Sequence, residues 1–122
     1  MSKAQLAAVG YSNGGERVKD FRAQEYDVII DVTRDLQRLR NDTNASFNDI
    51  VNAVHKNEKL WITIGALVSG DANALPQSLR ANLLYLAKFV SHHSSNVLRK
   101  KGELGVLVDL NVSVLRGLKG AL

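Results

Sequence analysis

Residues 60–68, which include the only tryptophan of the chain, constrain the fold more than any other stretch. Apolar residues would occupy every side of a helix drawn through them. A helix that is apolar all round must be covered on several faces by other segments. Gly65 in its middle would cost about 1 kcal/mol relative to alanine in an exposed helix, so we expect a second backbone to come close there. The stretch predicts a buried helix at the centre of the fold.

A second helix is predicted just downstream, in the segment that contains the only proline. Pro76 fits the first helical position, where a missing backbone N–H costs nothing. Apolar residues then repeat as in the seam of a bundle helix, and three more widen that face: Leu79, Leu83, Leu86 and Val90, then Leu84, Tyr85 and Phe89. Gly102 is predicted to stop the helix, with the basic residues 99–101 in its last turn. We expect these two helices to form the core hairpin of a small all-α domain.

Two more helices are predicted around this hairpin. Residues 16–40 contain no Gly or Pro, and their apolar residues recur at helical spacing: Val18, Phe21, Val28, Ile29, Val32, Leu36 and Leu39. Residues 41–44 favour a break, and Ser46 with Asp49 resembles a capping box for the central helix. We expect seven residues of the central helix to face inward: Phe47, Ile50, Val51, Val54, Trp61, Ile64 and Val68. Residues 103–118 are predicted to be helical, although the alternating valines from 106 to 114 also fit a strand.

The predicted fold class is therefore all-α. A single domain over residues 1–122 would form a bundle of four main helices, with a further short helix at residues 3–9. Residues 1–15 are interpreted as a flexible N-terminal arm, because residues 11–15 are rich in turn formers.

Composition narrows the class of protein. The net charge is +4, but the 16 Lys and Arg are interleaved with 12 Asp and Glu, which is weak evidence for nucleic-acid binding. The absence of cysteine excludes a disulfide framework, a thiolate metal site and a cysteine nucleophile. The N-terminus lacks the features of a secretory signal, and the longest near-apolar run is far shorter than the roughly 20 residues that span a bilayer. We expect a cytoplasmic protein without a membrane partner.

No constellation in the sequence predicts catalysis. His55 and Glu58 have a helical spacing that could place two ligands together, but the chain has too few glutamates for a di-metal bundle site. His92 and His93 would point about 100° apart on a helix, which favours a surface or partly buried pair. Phosphate-loop, dinucleotide and nucleophile-elbow motifs are missing. We predict no catalytic residue, metal, cofactor or small-molecule substrate, and hence no enzyme.

The aromatic residues leave two interpretations open. Trp61 fits a core position, where aromatic residues bury large areas, and it also fits an anchor lining a groove for a partner helix. Tyr85 and Phe89, one helical turn apart, have the same two interpretations. Arg80, at the start of its helix, fits a surface residue better than a partner clamp.

Several short sequence motifs resemble those of the FlaF family, which are flagellar biosynthesis regulators of alphaproteobacteria. They are Asn57-Glu-Lys-Leu-Trp61, Leu75-Pro-Gln-Ser-Leu-Arg80 with the following residues 82–90, and the closing residues 107–118. The resemblance implies a small, non-enzymatic cytoplasmic protein that promotes flagellin production and export. It also implies action beside FlbT, a partner regulator that acts on flagellin messenger RNA.

A secretion chaperone that binds flagellin is the form of this function that we expect. A helical bundle with exposed aromatic and leucine rows can hold amphipathic segments that are disordered before assembly. The candidate contact residues are Leu60, Trp61, Tyr85 and Phe89. Asn57 and Arg80 lie in the motifs that resemble the family. They would either contact the partner or cap and orient helices.

Two other functions stay open at this point. The protein could bind flagellin messenger RNA directly, through Arg34, Arg38 and Arg40 or through residues 99–101, and such binding would weaken steeply with salt. Alternatively, it could be an adaptor whose main partner is FlbT, with flagellin contacted only in a ternary complex.

Overall fold

The computed structural model describes residues 11–70 and 75–120, and the side chains of residues 26–70 and 75–119. This part of the chain forms four helices and no strand: α1 Tyr11–Arg40, α2 Phe47–Ser69, α3 Gln77–Leu98 and α4 Leu104–Gly120. The all-α bundle of four main helices is confirmed, and α4 excludes the strand interpretation of residues 106–114. The short helix predicted at residues 3–9 lies outside the described residues.

Three pairs of helices form most of the packing in the bundle. Contact is most extensive between α2 and α3, which confirms the predicted core hairpin. α1 packs against both α2 and α4, whereas α3 and α4 meet least. The short connections make consecutive helices antiparallel, as in an up-down-up-down bundle. α2 is therefore covered by α1 on one side and by α3 on another.

The core is built from the predicted apolar faces. Trp61 is 1% exposed at its centre. Around it lie buried residues of all four helices: Ile29, Leu36, Leu39, Val54, Leu60, Ile64, Val68, Leu83, Val90, Leu107, Val108, Val114 and Leu118. The helical periodicity of the sequence identified most of this set correctly.

Phe47 does not take the inward position that we predicted, and two other residues of the predicted apolar sets are also exposed. Val28 and Phe47 are each 45% exposed, and Tyr85 is 67% exposed. Val28 lies about 100° around α1 from the buried Ile29, so only one of the two can face the core. Phe47 starts α2 at the end of the bundle, where Lys100 Nζ sits 4.9 Å from the ring centroid in a cation–π contact.

The helix starts agree with the sequence to within a few residues. The Ser46 hydroxyl accepts a hydrogen bond from the Asp49 N–H at 3.1 Å, which confirms the predicted cap of α2. Pro76 is the N-cap of α3 rather than its first helical residue. α1 begins at Tyr11, so residues 11–15 are helical instead of turn-rich arm. The glycines at positions 14 and 15 each cost about 1 kcal/mol of helix stability, but they do not prevent the helix from forming.

The predicted end of α3 was wrong. α3 ends at Leu98, and Lys100 takes the left-handed conformation with a φ of 61°. The Lys100 N–H donates to Val97 O at 3.0 Å and the Lys101 N–H to Asn96 O at 2.8 Å, which is a Schellman motif. The basic residues 99–101 therefore follow the helix instead of filling its last turn. Gly102 has a packing role, since an added Cβ would lie 3.0 Å from Asn96 Cβ.

The Lys100→Gly variant is expected to raise the free energy of unfolding. A non-glycine residue in the left-handed region costs about 1–3 kcal/mol, and the lost cation–π contact with Phe47 returns only about 0.5–1 kcal/mol of this. Urea denaturation measures the difference. Lys100→Ala is the matched control, because it keeps the strained conformation, loses the contact and should lower stability. If both variants lost the same free energy of unfolding, the left-handed conformation of Lys100 would not be a source of strain.

Candidate partner-binding groove

An apolar groove of about 270 Å³ runs between α2 and α3 on the outer surface of the hairpin. Its floor consists of buried and half-buried residues: Trp61, Gly65, Ala87 and Val90. Ile62 forms one rim and is 69% exposed. Leu84 and Lys88 form the opposite rim, and Glu58, Ser69 and Ser91 complete the lining.

The depth of the groove comes from two small residues that face each other. A Cβ added at Gly65 would lie 3.5 Å from Ala87 Cβ, an ordinary van der Waals contact. The neighbour at Gly65 is therefore a side chain and not the close backbone that we predicted. Packing against α3 therefore does not require a glycine at this position, even though glycine costs a helix roughly 1 kcal/mol relative to alanine. What the missing side chain does provide is open space in the groove.

Trp61 belongs to the core, and one part of it also forms the groove floor. Its Nε1 donates a hydrogen bond to Asn111 Oδ1 at 3.0 Å, and Asn111 Nδ2 donates to Asn57 Oδ1 at 2.8 Å. All three side chains are almost completely buried. This chain of hydrogen bonds fixes the indole from α4 and ties α4 to α2 through the centre of the bundle. Asn57 thus holds the core together from within.

Arg80 links the two helices of the hairpin at the carboxyl end of α2. Its Nε donates to Val68 O at 2.9 Å and its Nη2 donates to Gly70 O at 3.3 Å. Both acceptors belong to the carboxyl end of α2, where a cation also opposes the negative end of the helix dipole. The cap-and-orient interpretation of Arg80 agrees with this geometry.

The structure does not bring the six candidate contact residues together. Leu60, like Trp61 and Asn57, is buried in the core. Tyr85 and Phe89 lie about 100–140° around α3 from Leu84 and so face away from the groove. Phe89 stacks on His93, with ring centroids 5.7 Å apart, and His93 Nε2 lies 2.8 Å from Glu103 O. Contact of any of the six with a partner stays a prediction.

Sequence reasoning missed most of the groove lining and one member of the buried network. Asn111 could have been found, because it interrupts the apolar spacing of Leu107, Val114 and Leu118 with an amide. Ile62 and Ala87 gave no comparable signal. An exposed isoleucine and a half-buried alanine look the same in sequence as ordinary core residues.

The cations proposed for RNA contacts mostly have intramolecular partners. Arg34 pairs with Asp31 at 4.0 Å and Arg38 with Asp35 at 3.7 Å, both three residues apart on α1. Arg40 pairs with Asp109 of α4 at 3.2 Å. In the turn after α3, Arg99 donates to Asn96 Oδ1 at 3.0 Å and Lys100 covers Phe47. Exposed pairs are weak, so RNA binding stays an untested alternative.

Within residues 26–70 and 75–119, no group of three or more His, Asp or Glu is placed to hold a metal ion. His55 is exposed and Glu58 lies in the groove. None of the helices in the described part of the chain is both long and apolar enough to cross a bilayer.

A match to a protein family model shows which family the chain belongs to. A family model described as the flagellar protein FlaF matches residues 7–118. The chain belongs to the FlaF family. The match covers α2, α3 and the groove between them, so the groove lies inside the FlaF unit. Searches of curated proteins and of solved structures gave no significant match. Membership of FlaF establishes a flagellar role, while an alphaproteobacterial origin stays a prediction.

Proposed function

We propose that this FlaF protein is a non-enzymatic regulator of flagellum biogenesis that promotes flagellin synthesis and export by binding flagellin as a cytoplasmic secretion chaperone. The client site is the groove between α2 and α3. The observation that carries the proposal is Gly65, a helical glycine that the packing of α3 does not require and whose missing side chain keeps the groove open. A flagellar family supplies the context for the client.

The shape of the groove suits an amphipathic helix. Its lining is predominantly apolar, and the exposed Ile62 adds an apolar rim that water covers in the free protein. A helix laid into such a groove inserts apolar residues at positions i, i+3, i+4 and i+7 and keeps its polar face in solvent. Segments that are disordered before assembly gain order when they bind in this way.

The test is calorimetric titration of the protein with monomeric flagellin of its own organism. The wild type is expected to bind saturably at one-to-one stoichiometry. Gly65→Leu fills the groove and should weaken binding at least about tenfold, or about 1.4 kcal/mol. Ala66→Leu is the matched control, because Ala66 is exposed about 100° further around α2 and outside the groove. Circular dichroism checks that both variants are folded.

A smaller substitution separates stability from binding. Gly65→Ala should raise the free energy of unfolding by up to about 1 kcal/mol through helix propensity, since its Cβ meets Ala87 at an ordinary distance. Urea denaturation measures this gain, which would show that glycine is kept at the expense of stability. A destabilised Gly65→Ala variant would mean that packing requires the glycine.

The remaining outcomes bear directly on the proposal. No heat and no co-elution with flagellin would refute direct binding. Binding that appears only when FlbT is present would support the adaptor function instead. Equal affinity of the wild type and Gly65→Leu would remove the groove from the client site.

A further inference from the structure

We infer that the groove selects an amphipathic helix with a charge pattern of fixed sign. The client places a carboxylate against Lys88 and a Lys or Arg against Glu58, about two helical turns apart, with its apolar ridge between them. This inference rests on the proposed function and adds the chemical class of the segment that the groove accepts. It is carried by the register of α2 against α3 and by the two charges that line the groove.

The register follows from the contact between the two small residues. Gly65 and Ala87 lie at the same level, because a Cβ on Gly65 would be 3.5 Å from that of Ala87. α2 and α3 are antiparallel, so Lys88 is level with Ile64. Glu58 lies six residues before Ile64 on α2. At 1.5 Å per residue, the levels of Lys88 and Glu58 are about 9 Å apart along the groove.

Both charges are available to a client. Among the described residues, neither Lys88 nor Glu58 takes part in a hydrogen bond or an ion pair, in contrast to Arg34, Arg38 and Arg40. Glu58 is half-buried and borders an apolar lining. A docked helix would remove water from both groups, and charge pairs at an interface of this kind fix register and exclude wrong partners.

The charge distribution favours an acidic residue at the Lys88 end. From Gln77 to Lys101 the chain contains five Lys or Arg and no Asp or Glu. A client carboxylate next to Lys88 therefore meets no repulsion from α3, whereas a cation placed there would. Only the orientation with the carboxylate at Lys88 satisfies both ends of the groove.

The client pattern follows from helix geometry. Residues seven apart lie on nearly the same face of a helix, about 10.5 Å apart, which spans the distance between Glu58 and Lys88. The apolar positions three and four residues along fall between the two charges and enter the groove. A segment with an acid and a base about seven residues apart, and apolar residues between them, fits the site.

Charge reversal in the groove tests the pattern in the full chain with monomeric flagellin. Lys88→Glu and Glu58→Lys should each weaken binding about tenfold at low salt, whereas the same changes at exposed positions outside the groove should have effects below about threefold. The controls are Lys59→Glu for the first variant and Asp27→Lys for the second. The double variant Lys88→Glu/Glu58→Lys keeps the net charge of the wild type, and its binding should also be weakened.

The reciprocal change gives the decisive result. Replacing the paired client carboxylate with lysine should restore binding to Lys88→Glu and weaken binding to the wild type. If Gly65→Leu abolishes binding while all charge variants bind as the wild type does, this inference is wrong and the proposed function stands. If flagellin does not bind the wild type, or Gly65→Leu binds normally, the proposed site itself fails. Sedimentation showing a dimer that Gly65→Leu disrupts would assign the groove to a second copy of the chain and overturn the inference.

Discussion

Replacing Trp61 with alanine is expected to lower the free energy of unfolding by about 3–5 kcal/mol. The side chain is 1% exposed in the middle of the core, so its removal leaves a cavity that the surrounding helices can fill only partly. The substitution also leaves Asn111 Oδ1, which accepts the indole N–H at 3.0 Å, without that donor. Because a small domain is stable by only about 5–15 kcal/mol, the loss is a large part of the total. Urea denaturation followed by far-ultraviolet circular dichroism measures it.

Two further variants separate the contributions of volume and hydrogen bonding. Trp61→Phe keeps an aromatic ring but loses the N–H, so it should be destabilised less than Trp61→Ala. Ile62→Ala changes the exposed neighbour and should stay within about 0.5 kcal/mol of the wild type. A loss below about 1 kcal/mol in Trp61→Ala would contradict the central place of the indole, given the usual cost of such truncations. Loss of flagellin binding in Trp61→Ala would not identify a contact, because the cavity left by the indole also changes the floor of the groove.

The sequence was sufficient to predict the helices and most of the core, because burial imposes a periodic pattern. Ile29, Leu36 and Leu39 follow the helical spacing of one face of α1. Residues 60–68, apolar on all sides, identified the helix against which α1 and α3 pack, although its face at Ile62 is exposed. Helix ends were predicted less well. The left-handed residue after α3 is Lys100, and no local rule favours lysine there over the nearby Gly102.

The groove could not be predicted, because it depends on which helix faces are left uncovered. Gly65 stands out in the sequence as a glycine inside an apolar stretch, but periodicity cannot distinguish a glycine that admits a neighbouring backbone from one that leaves space. Tyr85 and Phe89 looked like groove residues because they are large and one turn apart. Their positions around α3, set by the packing of Leu83 and Val90, place them on another flank. Such choices are made by tertiary packing and have no local signature.

Substitutions of the buried amides of Asn57 and Asn111 should have effects on the free energy of unfolding that are not additive. Asn111→Leu removes the acceptor of the Trp61 N–H and the donor to Asn57 Oδ1. Each buried polar group left unpaired costs about 1–3 kcal/mol, so this variant should lose about 2–6 kcal/mol. Asn82→Leu, at an exposed position of α3, is the control and should stay within about 0.5 kcal/mol of the wild type.

Adding Asn57→Leu to Asn111→Leu is expected to recover part of that loss. Asn57 Nδ2 is buried and finds no hydrogen-bond partner among the described residues, so in the Asn111→Leu background the whole Asn57 amide is unpaired. Exchanging it for an apolar side chain removes that penalty, and only the Trp61 N–H stays unpaired. Replacing both partners of a buried hydrogen bond costs less than removing one, so the double variant should be more stable than Asn111→Leu in urea denaturation. A double variant that loses the sum of the two single losses would show that Asn57 and Asn111 stabilise the bundle independently.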